Sequence, residues 1–167
     1  MTDHDDKDGR HDFDWVPGVW AATQRKLVDV LDPDCTEWVE FESVVTAHSV
    51  LFGLGNTDRL LVEEMPPHGG AFEGVTLRLF HPDDGLWRIW WTSSRFPGRL
   101  DPPVAGRFED GVGLFYADDD IGGKPMRVRY RWSEITENSA KWDQAFSFDG
   151  EKTWVPNWYA SFRRLAH

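Results

Sequence analysis

Apolar residues recur along this chain in short alternating runs rather than at helical spacing. Ten strand-like runs are read, at roughly 18–27, 36–50, 56–63, 74–80, 86–93, 103–109, 112–117, 125–132, 140–148 and 153–164. In Met126-Arg127-Val128-Arg129-Tyr130-Arg131-Trp132, the apolar and aromatic residues share one face and three arginines the other. In Trp87-Arg88-Ile89-Trp90-Trp91, the 87/89/91 face is wholly apolar. In the last run, Trp154, Trp158, Ala160 and Phe162 share a face, with Asn157 and Ser161 opposite. Period-two alternation of this kind places one face of each strand in a core and the other in water. Asp84-Gly85, Asp110-Gly111 and Asp149-Gly150 supply the positive φ of tight hairpin turns, so antiparallel neighbours follow one another along the chain. Gly69-Gly70 and Gly122-Gly123 mark two more connections, and the proline-rich stretch 94–103 is a loop. Helical period is weak. Only Leu27-Val28-Asp29-Val30-Leu31 could make a turn or two, ended by Asp32-Pro33.

Ten strands in an open sheet would leave long unpaired edges, which a closed barrel removes. The expected fold is therefore all-β, a closed antiparallel up-and-down barrel of about ten strands. Barrels of this size enclose a small-ligand cavity. A two-sheet sandwich is the alternative.

Composition narrows the function. The 167 residues fit one domain, expected over 15–167 after a disordered acidic tail at 1–14. That tail carries six aspartates against Lys7 and Arg10, a net −4 of the formal −11, and its His4 and His11 are read as solvated. An acidic surface repels phosphate backbones and anionic lipid, so neither nucleic acid nor membrane is an expected partner. No apolar run approaches the roughly 18 residues a membrane span needs. Cys35 is the single cysteine, and no signal-peptide pattern opens the chain, so a reducing cytoplasm is the expected location.

Ten tryptophans among 167 residues call for a thick core or a lined pocket. Gly18-Val19-Trp20 opens the first strand and Phe162-Arg163-Arg164 closes the last. The pair resembles the G-x-W and C-terminal arginine of lipocalin-like (calycin) barrels. That resemblance implies an arginine lying over the first-strand tryptophan at the barrel floor, a cation–π contact. A wider resemblance rests on His11-Asp12-Phe13-Asp14-Trp15, Gly53-Leu54-Gly55-Asn56, Leu77-Arg78-Leu79-Phe80, Gly106-Arg107-Phe108-Glu109-Asp110-Gly111 and Trp142-Asp143-Gln144-Ala145-Phe146-Ser147, with Asp149-Gly150, Trp154 and Asn157-Trp158. On these stretches the chain is similar to a bacterial lipocalin-like family, a domain of unknown function. The resemblance implies the barrel and no activity.

Several constellations are candidates for chemistry. Ser147 to Trp154 nearly matches the Asp-box of sialidase-type propellers, but a single box without repeats reads as a hairpin device. His48, His68 and His81 lack the paired spacing of a metal set, no late strand offers a haem-ligating histidine, and neither a metal nor a cofactor is expected. Arg78, between Leu77 and Leu79, points into the barrel if those leucines face out, and a buried arginine then requires a carboxylate. Glu42, in phase with Trp38 and Val44, is the one proposed. Gln144, between Trp142 and Phe146 in phase, is a hydrogen-bonding anchor. For each polar residue the competing reading is structural: a solvent-facing salt bridge for Arg78, a satisfied core amide for Gln144.

The expected function is binding of a small apolar or aromatic molecule in the barrel, lined by Trp38, Trp91, Trp132 and Trp158 and anchored by Glu42, Arg78 and Gln144. One alternative is an isomerase- or cyclase-type enzyme using the same cavity, with Glu42 as its carboxylate. Another is an interaction module with an exposed aromatic patch, and a homodimer fits any of the three.

Overall fold

A computed structural model describes residues 8–167. Ten antiparallel strands run β1 (Gly18–Leu27), β2 (Trp38–Val50), β3 (Gly55–Val62), β4 (Phe72–His81), β5 (Leu86–Ser93), β6 (Val104–Glu109), β7 (Val112–Ile121), β8 (Lys124–Ser133), β9 (Ser139–Ser147) and β10 (Val155–Ala166). Each pairs with its neighbours in sequence, and β1 pairs with both β2 and β10, so the sheet closes on itself. The expected barrel is the observed one. The anticipated helical turn at 27–31 is not formed: the segment after Leu27 is a loop with a turn at 30–31. Five residues before a proline cannot repay helix nucleation, whereas Val30 and Leu31 gain burial against the barrel core.

The turns follow their local chemistry. Asp110 and Gly111 both take positive φ, 51° and 79°, as a two-residue hairpin turn demands. In the Asp-box-like segment, Ser147 Oγ and Thr153 Oγ1 both donate to the Asp149 carboxylate, and the Thr153 amide adds a third bond. These bonds hold the Asp149 carboxyl down at about 2. The segment is a self-bonded hairpin connection.

Because the meander is up-and-down, alternate connections gather at opposite ends. One end is sealed by the residues before β1. The lead-in expected to be disordered over 1–14 divides here: 1–7 lie outside the described residues, and 8–14 fold as a plug. Phe13 is 1% exposed, and its ring meets Trp87, Phe108 and Phe115 at 5.0, 5.0 and 5.7 Å. Trp87 Nε1 donates to Gly9 O at 2.8 Å. Acidic composition predicts a solvated tail, but Phe13 and a hydrogen-bonded turn anchor residues 8–14 to the barrel floor.

Above the plug lies the contact that the G-x-W resemblance implied. The Arg164 guanidinium stands 4.1 Å from the Trp20 ring centre. It also donates to the carbonyls of Trp15, Pro17 and Glu137 at 2.6, 2.8 and 2.8 Å. Gly18 must be glycine: its φ is +131°, and a Cβ there would stand 2.5 Å from Arg164 Nη1. Arg164→Ala removes the charged donor from three carbonyls and uncovers the Trp20 face, so we expect a loss of about 2–4 kcal/mol. Urea unfolding measures it; stability within about 0.5 kcal/mol of the parent would show that the floor holds without the arginine.

Candidate functional site

The inward phases of the strands enclose a cavity of about 570 Å³ that extends from the floor residues Trp15 and Trp20 to the far end of the barrel. That end is bordered by the β1–β2 loop (28–37) and the β5–β6 loop (94–103). The volume is that of a site for a drug-sized molecule. Three tryptophans make much of the wall. Trp158 packs edge-on against Trp91 at 6.1 Å and against Trp142 at 5.6 Å. Trp132 closes the lower wall against Trp15 at 5.3 Å and Phe162 at 5.4 Å. The indole N–H groups of Trp91, Trp132 and Trp142 make no hydrogen bond among the described residues, so these donors are available to a guest.

Deep in the cavity sits Arg78. It is 5% exposed, and its guanidinium lies between the rings of Phe13 and Trp132, 5.5 and 5.7 Å from their centres. Nη1 donates to Asp58 Oδ2 at 2.7 Å and to Asn56 Oδ1 at 2.9 Å. Nε is buried with no partner among the described residues. Glu42, the carboxylate expected from the sequence, is not the partner. Glu42 is exposed on the outer face of β2, because Phe41, Ser43 and Val45 hold the inward phase. The real partners come from β3, whose register sets Asn56 opposite Arg78 and Asp58 opposite Thr76.

Trp38 is likewise outside. It shares the outward phase of Glu42, with the Arg25 guanidinium 4.2 Å from its ring centre and Tyr159 at 5.7 Å. Trp91, Trp132, Gln144 and Trp158 all border the cavity with Arg78. Gln144 Nε2 donates to Asn157 Oδ1 at 2.9 Å, leaving Oε1 without a partner among the described residues. Asn157, expected on the outer face, is 1% exposed, because a bulge between Pro156 and Trp158 shifts the phase of β10. The same bulge leaves Trp154 outside the cavity, with the Arg129 guanidinium 4.9 Å from its ring.

Sequence reasoning missed four contributors. Trp142 was visible, since it shares the inward phase of Gln144. Lys26 was visible too, in phase with Trp20, Ala22 and Gln24 along β1. Asn56 and Asp58 carried no signal, because polar residues in alternate positions read as a wet face until a buried arginine claims them.

The mouth is charged. Arg99 Nη2 reaches both carboxylate oxygens of Asp119 at 2.9 and 3.1 Å, and Arg99 Nε donates to Asp101 at 3.0 Å. Burial pushes the Asp101 carboxyl up despite that arginine. Burial, with Asp101 and Asp119 nearby, pushes the Tyr130 phenol up as well, so it stays a protonated donor in the wall. Lys26 is lowered to about 8, first by burial and then by Arg95.

No protein-family model matches the sequence, and no curated protein does. Among solved structures, the chain is similar to the S-type phycobiliprotein lyase CPES from Guillardia theta, with a TM-score of 0.62 and 10% identity over 94% of each chain. The barrel is lipocalin-like. At that identity the likeness speaks for the fold, and any argument about the job rests on the cavity. Among the described residues no helix is long and apolar enough to cross a membrane.

Proposed function

We propose that the barrel binds a small aromatic or conjugated molecule with an acid or carbonyl group at its inner end. One observation carries the reading: a tryptophan-walled cavity of about 570 Å³ has the buried Arg78 in its lining. An apolar cavity alone would suit any hydrocarbon. The Arg78 guanidinium, the free Oε1 of Gln144 and the unused indole donors select a guest with polar atoms set into a flat apolar body. The similar barrel belongs to a phycobiliprotein lyase, which makes a bilin a sensible member of the ligand panel.

The test is titration of the full-length protein with 2-naphthoic acid, 2-naphthylmethanol, a fatty acid and a bilin, following tryptophan fluorescence. Quenching that saturates at one ligand per chain is expected, with the aromatic acid ahead of its alcohol. Unchanged emission across the panel, with no binding by calorimetry, would overturn the proposal.

The enzyme alternative loses Glu42 and would have to draw on Asp101 and Tyr130 at the cavity wall. It predicts that bound ligand is recovered chemically changed. The internal cavity favours either reading over an interaction module, since the most exposed aromatic residues, Phe52 and Phe96, lie on connections at opposite ends of the barrel.

A further inference from the structure

Lys26 is the last inward-pointing residue of β1, placed where the barrel wall becomes the mouth. Its Nζ lies 5.3 Å from the centre of the Trp158 ring, part of the cavity wall. The residue also borders a second, smaller cavity of about 220 Å³ beside the β3–β4 loop. A lysine taken out of water normally acquires a carboxylate. Among the described residues Lys26 has none within ion-pair distance. By contrast, Lys141 pairs with Glu134 at 3.0 Å, and Lys124 donates to the Leu31 carbonyl. The charged groups that face Lys26 are Arg95 from the β5–β6 loop and Asp29 from the β1–β2 loop; His68 lines the smaller cavity beside it.

We propose that Lys26 is a carbonyl-capturing amine, condensing with an aldehyde or ketone at the outer end of a ligand seated in the barrel. The inference rests on the ligand-binding reading above and adds the class of ligand, a conjugated carbonyl compound. In the reaction, the neutral Nζ lone pair forms a bond to the carbonyl carbon, whose π electrons move to oxygen and give a carbinolamine. The nitrogen then loses its protons, and the oxygen leaves as water as the C=N bond forms. No oxidant or reductant is consumed, and added water reverses the step. An amine beside an aromatic wall and a second cation is the setting that activates lysine nucleophiles, because both features disfavour the ammonium form. With Lys26 near 8, about 10% of it is neutral at pH 7, against about 0.03% of an ordinary lysine. A purely structural lysine capping Trp158 would share the position but not the reactivity.

The experiment treats the full-length protein with 2-naphthaldehyde and cyanoborohydride, then locates adducts by peptide mass spectrometry. Lys26 should be modified roughly tenfold or more faster than Lys141 and Lys152 at pH 7, with the advantage shrinking towards pH 10 as every lysine loses its proton. Saturating 2-naphthylmethanol, which fills the barrel but cannot condense, should protect Lys26 alone. Lys26→Arg should abolish the selective adduct. Even labelling of Lys26, Lys141 and Lys152 would overturn the proposal. If the alcohol binds while labelling is even, the amine fails and the barrel reading stands. Selective labelling with no binding of, or protection by, the alcohol would overturn the barrel reading and with it the placement of the carbonyl.

Discussion

Asp58→Ala is expected to destabilise the protein by about 3–5 kcal/mol, the usual result of stranding one partner of a buried ion pair. Asp58 and Arg78 are about equally hidden, with side chains 5% and 6% exposed. Without the carboxylate, the guanidinium keeps only the neutral Asn56 amide oxygen at 2.9 Å, and its charge lies between the rings of Phe13 and Trp132. For a chain of this size the thermal midpoint should fall by roughly 6–20 °C. The double variant Asp58→Leu with Arg78→Met removes the charges together and fills similar volume. It should recover most of the stability, because a well-packed apolar pair often equals or exceeds the ion pair it replaces. What it should not recover is selection for the aromatic acid: 2-naphthoic acid should bind no better than 2-naphthylmethanol. Differential scanning calorimetry and the fluorescence titration report the two effects separately. A midpoint unchanged by Asp58→Ala would show that the pair is not essential to the fold. Undiminished preference for the acid in the double variant would remove Arg78 from the site.

Gly74→Ala should do the reverse, weakening the ligand site while sparing the fold. On β4, Gly74 faces inward beside β5, and the Trp91 ring lies against its backbone. A Cβ built there would overlap that ring, with Cζ3 at 2.6 Å and Cζ2 at 2.8 Å. The obstacle is the far end of a side chain next to open cavity, so the indole can swing away without moving a strand. Alanine in a strand also escapes the entropic cost of glycine, about 0.5–1 kcal/mol, which offsets some of the rearrangement. The displaced ring must move into the space a ligand would use and give up its edge-on contact with Trp158 at 6.1 Å. We expect affinity for 2-naphthoic acid to fall roughly tenfold or more, a change of about 1.4 kcal/mol, with the urea midpoint nearly unchanged. Full affinity in Gly74→Ala would show that Trp91 is not part of the binding wall.

The elements were legible because their signals are local. Alternation and Asp-Gly turns located all ten strands, and β1 and β5 match the expected bounds at both ends. The alternation in β5 and β8 also identified the inner face, because there the two phases differ sharply in polarity. In β2 they do not. Trp38, Glu42 and Val44 share one phase and Phe41, Ser43 and Val45 the other, each mixing polar with apolar residues. Trp38 finds its cover outside, under Arg25. The bulge in β10 defeated phase for a different reason: one extra residue moves Asn157 inward, and no residue type announces it.

The alternation, the turn dipeptides and the need to remove sheet edges were enough to specify an antiparallel barrel with an aromatic interior, since each acts within a few residues or on the sheet as a whole. Pairing across the barrel lay beyond them. That Arg78 meets Asp58, that Phe13 closes the floor and that Lys26 lies against Trp158 at the mouth depend on strand register and closure. Register brings together residues twenty or more positions apart, and it is the burial there, unequal from group to group, that pairs Arg78 with Asp58 and leaves the Lys26 amine easy to deprotonate.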